Sequence, residues 1–271
     1  MTAQELNAVI GQRVEVAPGL IIIRIIPDSW ELPEFVPGQY TVLGLYGSAP
    51  RYTYSGPEPK PSPPDRLIKR AYSIASSSKE KEYIELYVRL VTSGALTPRL
   101  FALNIGDRLW LSPKTKGMFT IDEVPHNQNI ILFATGTGVA PYMSMLRSNV
   151  IIQEKRKYAV VHSAWNSWDL GYQSELLTIE RLCPNFSYIP VISAPEKEPM
   201  PWHGHAGFVQ QIWKNKVIHK RWDLDITPDN TRIFLCGHPE MIREMIALLQ
   251  NDGFQEHTSL KPGTIHLEKY W

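Results

Sequence analysis

The hydrophobic pattern of the chain changes within residues 124–128, where Pro125, His126 and Asn127 interrupt it. Upstream, short β-branched runs are separated by turn residues, a pattern typical of antiparallel strands. Downstream, apolar runs alternate with helical segments, which is typical of a parallel sheet covered by helices on both faces. The sequence therefore predicts an antiparallel β-barrel domain in residues 1–125, followed by an α/β domain with a parallel sheet in residues 126–271.

The first half is predicted to contain six short strands and one helical segment. The strands cover residues 12–16, 20–26, 40–45, 71–75, 83–90 and 108–111, and the helical segment covers residues 97–103. Six prolines lie between residues 50 and 64, and each removes a backbone donor that a strand or helix would use. Residues 50–64 are therefore predicted to form a surface excursion between two strands.

The second half is predicted to contain four buried strands joined by helices. The strands cover residues 130–134, 158–162, 187–192 and 232–236, and the helices cover residues 143–154, 173–182, 208–213 and 239–251. In sheets of this kind, ligands bind outside the carboxyl ends of the strands. The loops that follow these strands are therefore the candidate binding segments.

Composition excludes several classes of protein. The formal net charge of +1 over 271 residues calls for no polyanionic partner, and we expect no nucleic-acid binding. The longest apolar stretch, residues 20–26, is interrupted by Arg24 and is too short to span a bilayer, and no secretory signal precedes it. We therefore expect a cytoplasmic protein that does not bind membranes.

The two cysteines and the pair of histidines at His203 and His205 do not predict a metal site. Cys183 and Cys236 cannot make a disulfide framework or supply the four thiolates of an iron–sulfur cluster. The histidine pair has no further ligand at suitable spacing. We expect no metal here, and any iron–sulfur cluster must sit on another protein.

The segment Arg70-Ala71-Tyr72-Ser73 is the first candidate binding motif. Strand alternation puts Arg70 and Tyr72 on one face, where a guanidinium can hold a phosphate while the phenol ring stacks on a planar heterocycle. An ordinary strand with an exposed arginine is the alternative interpretation. Downstream, Gly94 permits close backbone approach, and the amides that follow it, with the Thr97 hydroxyl, are predicted to form an anion site.

The second motif is the glycine loop of residues 135–141, which follows an apolar strand and opens a helix at Pro141. Loops in this context hold pyrophosphate groups on the first turn of a helix, although the third glycine of the usual fingerprint is missing. Cys236 ends the fourth predicted strand and is followed by Gly237. A small side chain there leaves room for a ring over the sheet edge, or else the cysteine is simply buried.

Taken in this order, the motifs resemble those of bacterial-type ferredoxin or flavodoxin NADP reductases. The similarity is densest over residues 69–147 and returns at Glu268-Lys269-Tyr270-Trp271. The resemblance implies an FAD-binding β-barrel followed by a domain that binds NADP(H) or NAD(H). The residues it implies for FAD are Arg70, Ala71, Tyr72, Ser73, Tyr87, Val88, Arg89, Gly94, Ala95, Leu96, Thr97, Tyr270 and Trp271.

The resemblance also implies individual roles. Arg70 would bind the FAD pyrophosphate, Tyr72 would stack on the isoalloxazine, and Ser73 would approach flavin N5. The residues it implies for the nicotinamide dinucleotide are Thr135, Gly136, Thr137, Gly138, Trp165 and Phe208, and those at the reacting centre are Ser73, Cys236 and Glu268.

The chain departs from this family where NADP-preferring members usually place three arginines. Here those positions hold Trp165, Ala194 and Phe208. A 2'-phosphate is normally held by guanidinium groups, so we expect a weakened preference for NADPH, or use of NADH. Four other groups could compensate for the missing arginines: Arg147, Lys197, His203 and His205.

The sequence therefore predicts a flavoenzyme that exchanges a hydride between NAD(P)H and FAD, and single electrons between FAD and a ferredoxin or flavodoxin. Lys114 and Lys116 could steer such an acidic carrier. Two alternatives stay open: an NADH-dependent reductase that supplies an oxygenase or reduces free flavin, and a non-enzymatic subunit that retains FAD without accepting hydride.

Overall fold

The computed structural model describes residues 5–149 and 155–269. The chain divides into two compact units. The barrel unit comprises residues 1–120 together with 140–148, and the sheet unit comprises residues 121–139 together with 149–271. The barrel unit thus includes a helix that follows the glycine loop in sequence.

Antiparallel strands form the barrel unit, as predicted. They are β1 (Ala8–Ala17), β2 (Leu20–Pro27), β3 (Tyr40–Tyr46), β4 (Leu67–Ser73), β5 (Ile84–Arg89) and β6 (Arg108–Leu111), with helix α1 (Thr97–Phe101) before β6. Their order in the sheet is β4-β3-β6-β1-β2-β5. Strands β4 and β5 are the two edge strands of this sheet. A bridge between Ile74, which directly follows β4, and Leu86 of β5 closes the barrel.

The barrel core explains why these segments form strands. Alternate β-branched residues of β2, including Ile21, Ile23 and Ile25, are buried inside the barrel, as the period of two requires. The predicted strand at residues 71–75 was placed too late, because the β3–β4 ladder runs from Leu67 to Ser73 and then ends. Residues 50–64 lie between β3 and β4 and contain no helix or strand.

A buried carboxylate ties helix α2 (Ala140–Ser148) to the barrel. Glu85 of β5 accepts a hydrogen bond from Arg24 Nε at 2.9 Å and one from Arg147 Nη1 of α2 at 2.7 Å. Arg147 also donates to the Ala75 carbonyl at 2.8 Å. Because a buried carboxylate needs paired charge, the contact with Glu85 holds Arg147 against the barrel.

The sheet unit contains a parallel sheet, also as predicted. Its strands are β7 (Asn129–Thr135), β8 (Tyr158–Ala164), β9 (Phe186–Ile192), β10 (His205–Ala206), β11 (Thr231–Gly237) and β12 (Ile265–Lys269). Their order is β10-β9-β8-β7-β11-β12, and each neighbouring pair is parallel. The central strands are buried along their length, which matches their continuous apolar sequences.

Helices accompany this sheet, although the sequence analysis did not find all of them. They are α3 (Gln173–Leu182), α4 (Val209–Lys214), α5 (Val217–Trp222) and α6 (Pro239–Asn251). The bounds predicted for α3 and α6 are confirmed, while α5, β10 and β12 were missed. The helix predicted over residues 143–154 instead begins at Ala140 and ends at Ser148, and residues 150–154 lie outside the described part.

A search of the described helices found none with the length and apolar character needed to cross a membrane. Within residues 5–149 and 155–269, no group of three or more His, Cys, Asp or Glu side chains is arranged to hold a metal ion.

The contacts of Glu85 with Arg24 and Arg147 predict that this carboxylate stabilises the folded chain. Glu85→Gln removes the charge that both Arg24 and Arg147 face, so we expect the free energy of unfolding to fall by about 2–3 kcal/mol in urea denaturation. Glu82→Gln, three residues away on an exposed position, is the matched control and should change it by less than about 0.5 kcal/mol. Equal effects of the two variants would contradict the assignment.

Candidate functional site

Strand β4 presents the first candidate motif along the outer side of the barrel. Arg70 is exposed and its Nη1 donates to the Lys69 carbonyl at 2.7 Å. Tyr72 is half-buried against the barrel core. Burial raises the pKa of the Tyr72 phenol, an effect that nearby Arg70 only partly opposes. Tyr72 is therefore a neutral aromatic surface two residues from a cation.

Other predicted flavin residues differ in what they can offer. Ser73 is buried at the end of β4, and Ala71 is exposed between Arg70 and Tyr72. Val88 belongs to the hydrophobic core, so its side chain is not available to a ligand. Tyr87 is also buried, while Arg89 is exposed at the end of β5. Tyr270 and Trp271 lie outside the described residues.

The turn from Val91 to Thr97 is stabilised by hydrogen bonds of the Thr97 hydroxyl. Thr97 Oγ1 accepts a hydrogen bond from the Val91 amide at 3.0 Å and donates to the Val91 carbonyl at 3.2 Å. The Gly94 amide bonds the same carbonyl at 2.8 Å. Leu96 is buried and Ala95 half-buried. In this structure the Thr97 hydroxyl therefore shapes the turn.

A cavity of about 310 Å³ lies beside Arg70 and Ala95. Lysine and arginine side chains supply most of its polar lining, and none of the lining residues is acidic. Phosphate groups favour such surroundings. The barrel unit therefore fits the phosphate-bearing part of FAD at this position.

The glycine loop packs backbone against backbone at the carboxyl edge of the sheet. A side chain at Gly138 would overlap the Cys236 carbonyl oxygen, and one at Gly237, where φ is +134°, would overlap Thr135 Oγ1. Thr135 Oγ1 in turn accepts a hydrogen bond from the His238 amide at 2.8 Å. Gly136, with φ of +54°, has open space where a side chain would be. The loop thus fits the close approach of a pyrophosphate.

His162 supports this loop from the end of β8 and was missed by the sequence analysis. Its Nε2 lies 2.9 Å from the Gly136 carbonyl oxygen, and its buried Nδ1 has no hydrogen-bond partner among the described residues. Burial lowers the pKa of His162 to about 4, although the Gly136 contact opposes this shift. The imidazole is therefore neutral at physiological pH and donates from Nε2. The only sequence signal was a polar residue ending an apolar run.

Cys236 and Glu268 lie side by side on the neighbouring strands β11 and β12. Strands β11 and β12 place the two residues opposite one another, and Cys236 Sγ lies 3.8 Å from Glu268 Oε2. Cys236 is fully buried. The structure therefore brings together the two reacting-centre residues that were predicted in this unit.

The loops that follow β8, β9 and β10 carry the three positions at which NADP-preferring members of the resembled family usually have arginine. These positions are Trp165, Ala194 and Phe208. Trp165 is 66% exposed and Phe208 is 62% exposed, so both offer aromatic faces to a ligand. Ala194 is buried and its amide bonds the Trp165 carbonyl at 3.0 Å. Lys197 Nζ lies 5.9 Å from the Trp165 ring centroid.

The carboxylate of Glu198 accepts hydrogen bonds from polar groups of the loop after β8. Glu198 accepts hydrogen bonds from the Ser167 amide at 2.7 Å and from Ser167 Oγ at 2.6 Å. These are donors of the kind that would otherwise hold a phosphate. The negative charge of Glu198 is therefore fixed at Ser167, two residues after Trp165.

Comparisons with known proteins match each half of the chain to an oxidoreductase domain family. Residues 60–119 match the family model for the oxidoreductase FAD-binding domain, and residues 132–246 match that for the oxidoreductase NAD-binding domain. The flavodoxin/ferredoxin–NADP reductase of Buchnera aphidicola subsp. Baizongia pistaciae is 31% identical over 207 residues, which cover 76% of this chain and 82% of that protein.

Two further relatives extend the similarity. The flavodoxin/ferredoxin–NADP reductase of Escherichia coli K12 is 27% identical over 238 residues, which cover 88% of each chain. The crystal structure of a ferredoxin NADP+ reductase from Neisseria gonorrhoeae with bound FAD and NADP superposes with a TM-score of 0.79 at 24% identity, covering 97% of each chain. That structure supports the fold.

The buried His162 predicts a pH dependence of stability. Because its pKa is about 4 in the folded chain and about 6.5 when unfolded, its contribution is complete above pH 6.5 and is lost as the pH falls toward 4. The loss is about 1.4 kcal/mol per pH unit. His162→Gln keeps a donor for Gly136 but does not titrate.

Urea denaturation at pH 7 and pH 4.5 measures the effect. The free energy of unfolding of the wild type should fall between these values by about 2–3 kcal/mol more than that of His162→Gln. His266, whose pKa is also lowered to about 4, is present in both proteins and cancels. Identical pH dependence in the two proteins would rule out a buried neutral His162.

Proposed function

This chain belongs to the flavodoxin/ferredoxin–NADP reductase family, and on that basis we propose that it exchanges a hydride between NAD(P)H and FAD. We further propose that it exchanges single electrons between FAD and a separate ferredoxin or flavodoxin. The observation that carries the proposal is the glycine loop, where Gly138 lies against the Cys236 carbonyl and Gly136 leaves its surroundings open.

The barrel unit would hold FAD along β4. Arg70 binds the pyrophosphate, Tyr72 stacks on the ring system as a neutral phenol, and Ser73 lies at the reacting end. Bound FAD supplies hydride acceptance and one-electron release, which no side chain of the protein can provide. The contribution of the protein is to bind and orient the ring.

The sheet unit would hold the nicotinamide dinucleotide at the carboxyl edge. Residues 135–138 would bind its pyrophosphate at the glycine loop, and His162 keeps the Gly136 peptide in place. The small side chain of the buried Cys236 would leave room for the nicotinamide ring at the end of β11. Glu268 accepts a hydrogen bond from the Cys236 thiol, which orients that thiol.

An exposed tip of the barrel unit fits an acidic electron carrier. Met118 is 82% exposed, and Lys114 and Lys116 beside it are also exposed. A positive rim around an apolar residue attracts negatively charged partners and then contributes contact area. We propose this tip, residues 114–118, as the docking surface for ferredoxin or flavodoxin.

Glu198 favours NADH as hydride donor. A 2'-phosphate brings close to two negative charges, and at the loop after β8 it would meet a carboxylate that already holds the Ser167 amide and hydroxyl. NADH lacks this phosphate, and acidic residues at the corresponding strand end commonly bind the ribose hydroxyls of NAD. We propose that the chain uses NADH at least as well as NADPH.

Mixing FAD-loaded protein with NADH or NADPH and an oxidised ferredoxin or flavodoxin tests the activity. We expect reduction of the carrier at the expense of the coenzyme. Ser73→Ala should slow this reaction by about tenfold or more while leaving FAD affinity within about twofold, because orientation at the reacting atom matters in the transition state. Ser78→Ala is the matched control. An unchanged rate in Ser73→Ala would remove Ser73 from the mechanism.

A carboxylate substitution tests the coenzyme preference. Glu198→Gln removes the charge that faces the 2'-phosphate, so the ratio of kcat/KM for NADPH to that for NADH should rise by about tenfold, or about 1.4 kcal/mol. Glu196→Gln, an exposed carboxylate two residues away, should leave the ratio within about twofold. A wild type that strongly prefers NADPH would show that other groups hold the phosphate.

A further inference from the structure

We propose that Glu58 is a positioning residue for the turn at residues 94–97, which the sequence predicts as a phosphate site of FAD. The proposal rests on the proposed function in taking FAD as the ligand. Glu58 acts through Arg51 and Arg99 rather than by contact with the ligand. The two arginines fix the direction of two backbone amides in the turn before FAD binds.

Glu58 is a buried carboxylate within the proline-rich residues 50–64. Its side chain is only 6% exposed. It accepts hydrogen bonds from Arg51 Nη1 at 2.9 Å, from the Ser62 amide at 2.9 Å and from Ser62 Oγ at 3.0 Å, and it also pairs with Arg99. Burial alone would raise the pKa of Glu58, but the hydrogen bonds from Arg99 and Ser62 lower it to about 2. Glu58 is therefore charged at neutral pH.

A single oxygen of Glu58 joins the two arginines. Its Oε1 accepts from Nη1 of Arg51 and from Nη1 of Arg99. The side chain of Arg99 is 5% exposed and that of Arg51 is 22% exposed, so water screens neither charge fully. Two guanidinium groups this close repel each other unless an anion lies between them. The carboxylate is therefore what allows both arginines to stay beside the turn.

Each arginine also donates to one carbonyl of the turn. Arg51 Nη1 donates to the Gly94 carbonyl at 2.8 Å, and Arg99 Nη1 donates to the Ala95 carbonyl at 2.5 Å. The second terminal nitrogen of Arg99, Nη2, donates to the Gly47 carbonyl at 2.6 Å. Because the guanidinium is planar and its donors form a rigid fork, it cannot rotate without breaking several of these bonds at once. The directions of the Gly94 and Ala95 carbonyls are thereby fixed.

The carbonyl directions decide where the next two amides point. Both peptide units are trans, and in a planar trans unit the N–H points opposite to the C=O. The Ala95 and Leu96 amides therefore point away from the arginines, and neither donates a hydrogen bond to another described residue. The Thr97 hydroxyl bonds Val91, so it closes the turn without holding either of these peptide units. Two backbone amides without partners suit the oxygens of a phosphate.

Substitution of Glu58 separates a positioning role from a simple charge effect. Glu58→Gln removes a negative charge from behind the turn, so Coulomb attraction alone would strengthen the binding of an anionic ligand. A positioning role predicts the opposite, because the two arginines separate and the amides lose their direction. Apoprotein is titrated with FAD, and the quenching of flavin fluorescence gives the dissociation constant. We expect this constant to rise by about tenfold in Glu58→Gln.

Glu180→Gln is the matched control. Glu180 lies in α3 of the sheet unit and, like Glu58, accepts hydrogen bonds from an arginine and a backbone amide. These donors are Arg221 Nη2 at 2.5 Å and the Tyr188 amide at 2.8 Å. The control therefore removes a carboxylate of similar bonding far from the turn in sequence. It should leave FAD affinity within about twofold.

Phosphorus NMR of the FAD-loaded proteins gives a second readout, which a general loss of stability would not change. In Glu58→Gln the pyrophosphate resonances of bound FAD should shift from their wild-type positions, because the amides that they accept from have moved. The visible absorption spectrum of the flavin ring should stay the same. Glu180→Gln should change neither spectrum.

Arg51→Lys tests the same link with the positive charge retained. Lysine lacks the planar fork that serves Glu58 and Gly94 together, so FAD binding should weaken by about fivefold. This variant decides the question if Glu58→Gln does not fold.

The outcomes separate this proposal from the proposed function. FAD affinity that is unchanged or tighter in Glu58→Gln, or equally weakened in Glu180→Gln, would overturn the positioning role and leave the proposed function intact. An unchanged affinity in Arg51→Lys would do the same. A wild type that binds no FAD would overturn the proposed function itself.

Discussion

The loop after β7 can pass the end of β11 only because glycines remove the side chains that would collide there. Gly138 lies against the Cys236 carbonyl, and Gly237 lies against Thr135. Neighbouring parallel strands are about 4.8 Å apart, so two loops leaving β7 and β11 at the same edge have no room for a Cβ between them. The open backbone at Gly136, the buried support from His162 and the position of Cys236 all follow from this contact. Replacing either glycine would separate the loops and displace the proposed pyrophosphate site.

In the barrel unit, segments outside the β-strands have to be held against a closed sheet. It does so with two buried carboxylates that each engage two arginines. Glu85 joins α2 to β5 through Arg147, and Glu58 joins the proline-rich residues 50–64 to the turn at Gly94 through Arg51. A buried carboxylate without its partners would cost several kcal/mol, so each cluster fixes its segment in one arrangement. In both cases the charge pair places a segment that the β-ladders do not reach.

Local patterns in the sequence predicted the parts of the fold that local physics determines. The alternation in β2, the apolar runs of β7 and β11, and the Pro-started helix α6 all appear where periodicity and turn residues placed them. The edge strand β12 was missed because His266 and Glu268 interrupt its apolar pattern. Helix α5 was missed because it follows α4 after two residues, one of which, Lys216, has a positive φ of 53°. Glu58 gave no signal at all, since its burial depends on Arg99, which lies 41 residues away. The same holds for Arg147, whose contact with Glu85 spans 62 residues of sequence.

We propose that FAD and the nicotinamide coenzyme, each bound to its own unit of this chain, take part in one hydride transfer. Rapid anaerobic mixing of FAD-loaded protein with excess NADH, and separately with NADPH, tests it most directly, because bound flavin loses its visible absorbance when it accepts a hydride. We expect rapid bleaching of the bound flavin, with NADH at least as effective as NADPH. Flavin that stays bound and keeps its absorbance with both coenzymes would contradict the account and identify the chain as an FAD-binding protein without reductase activity.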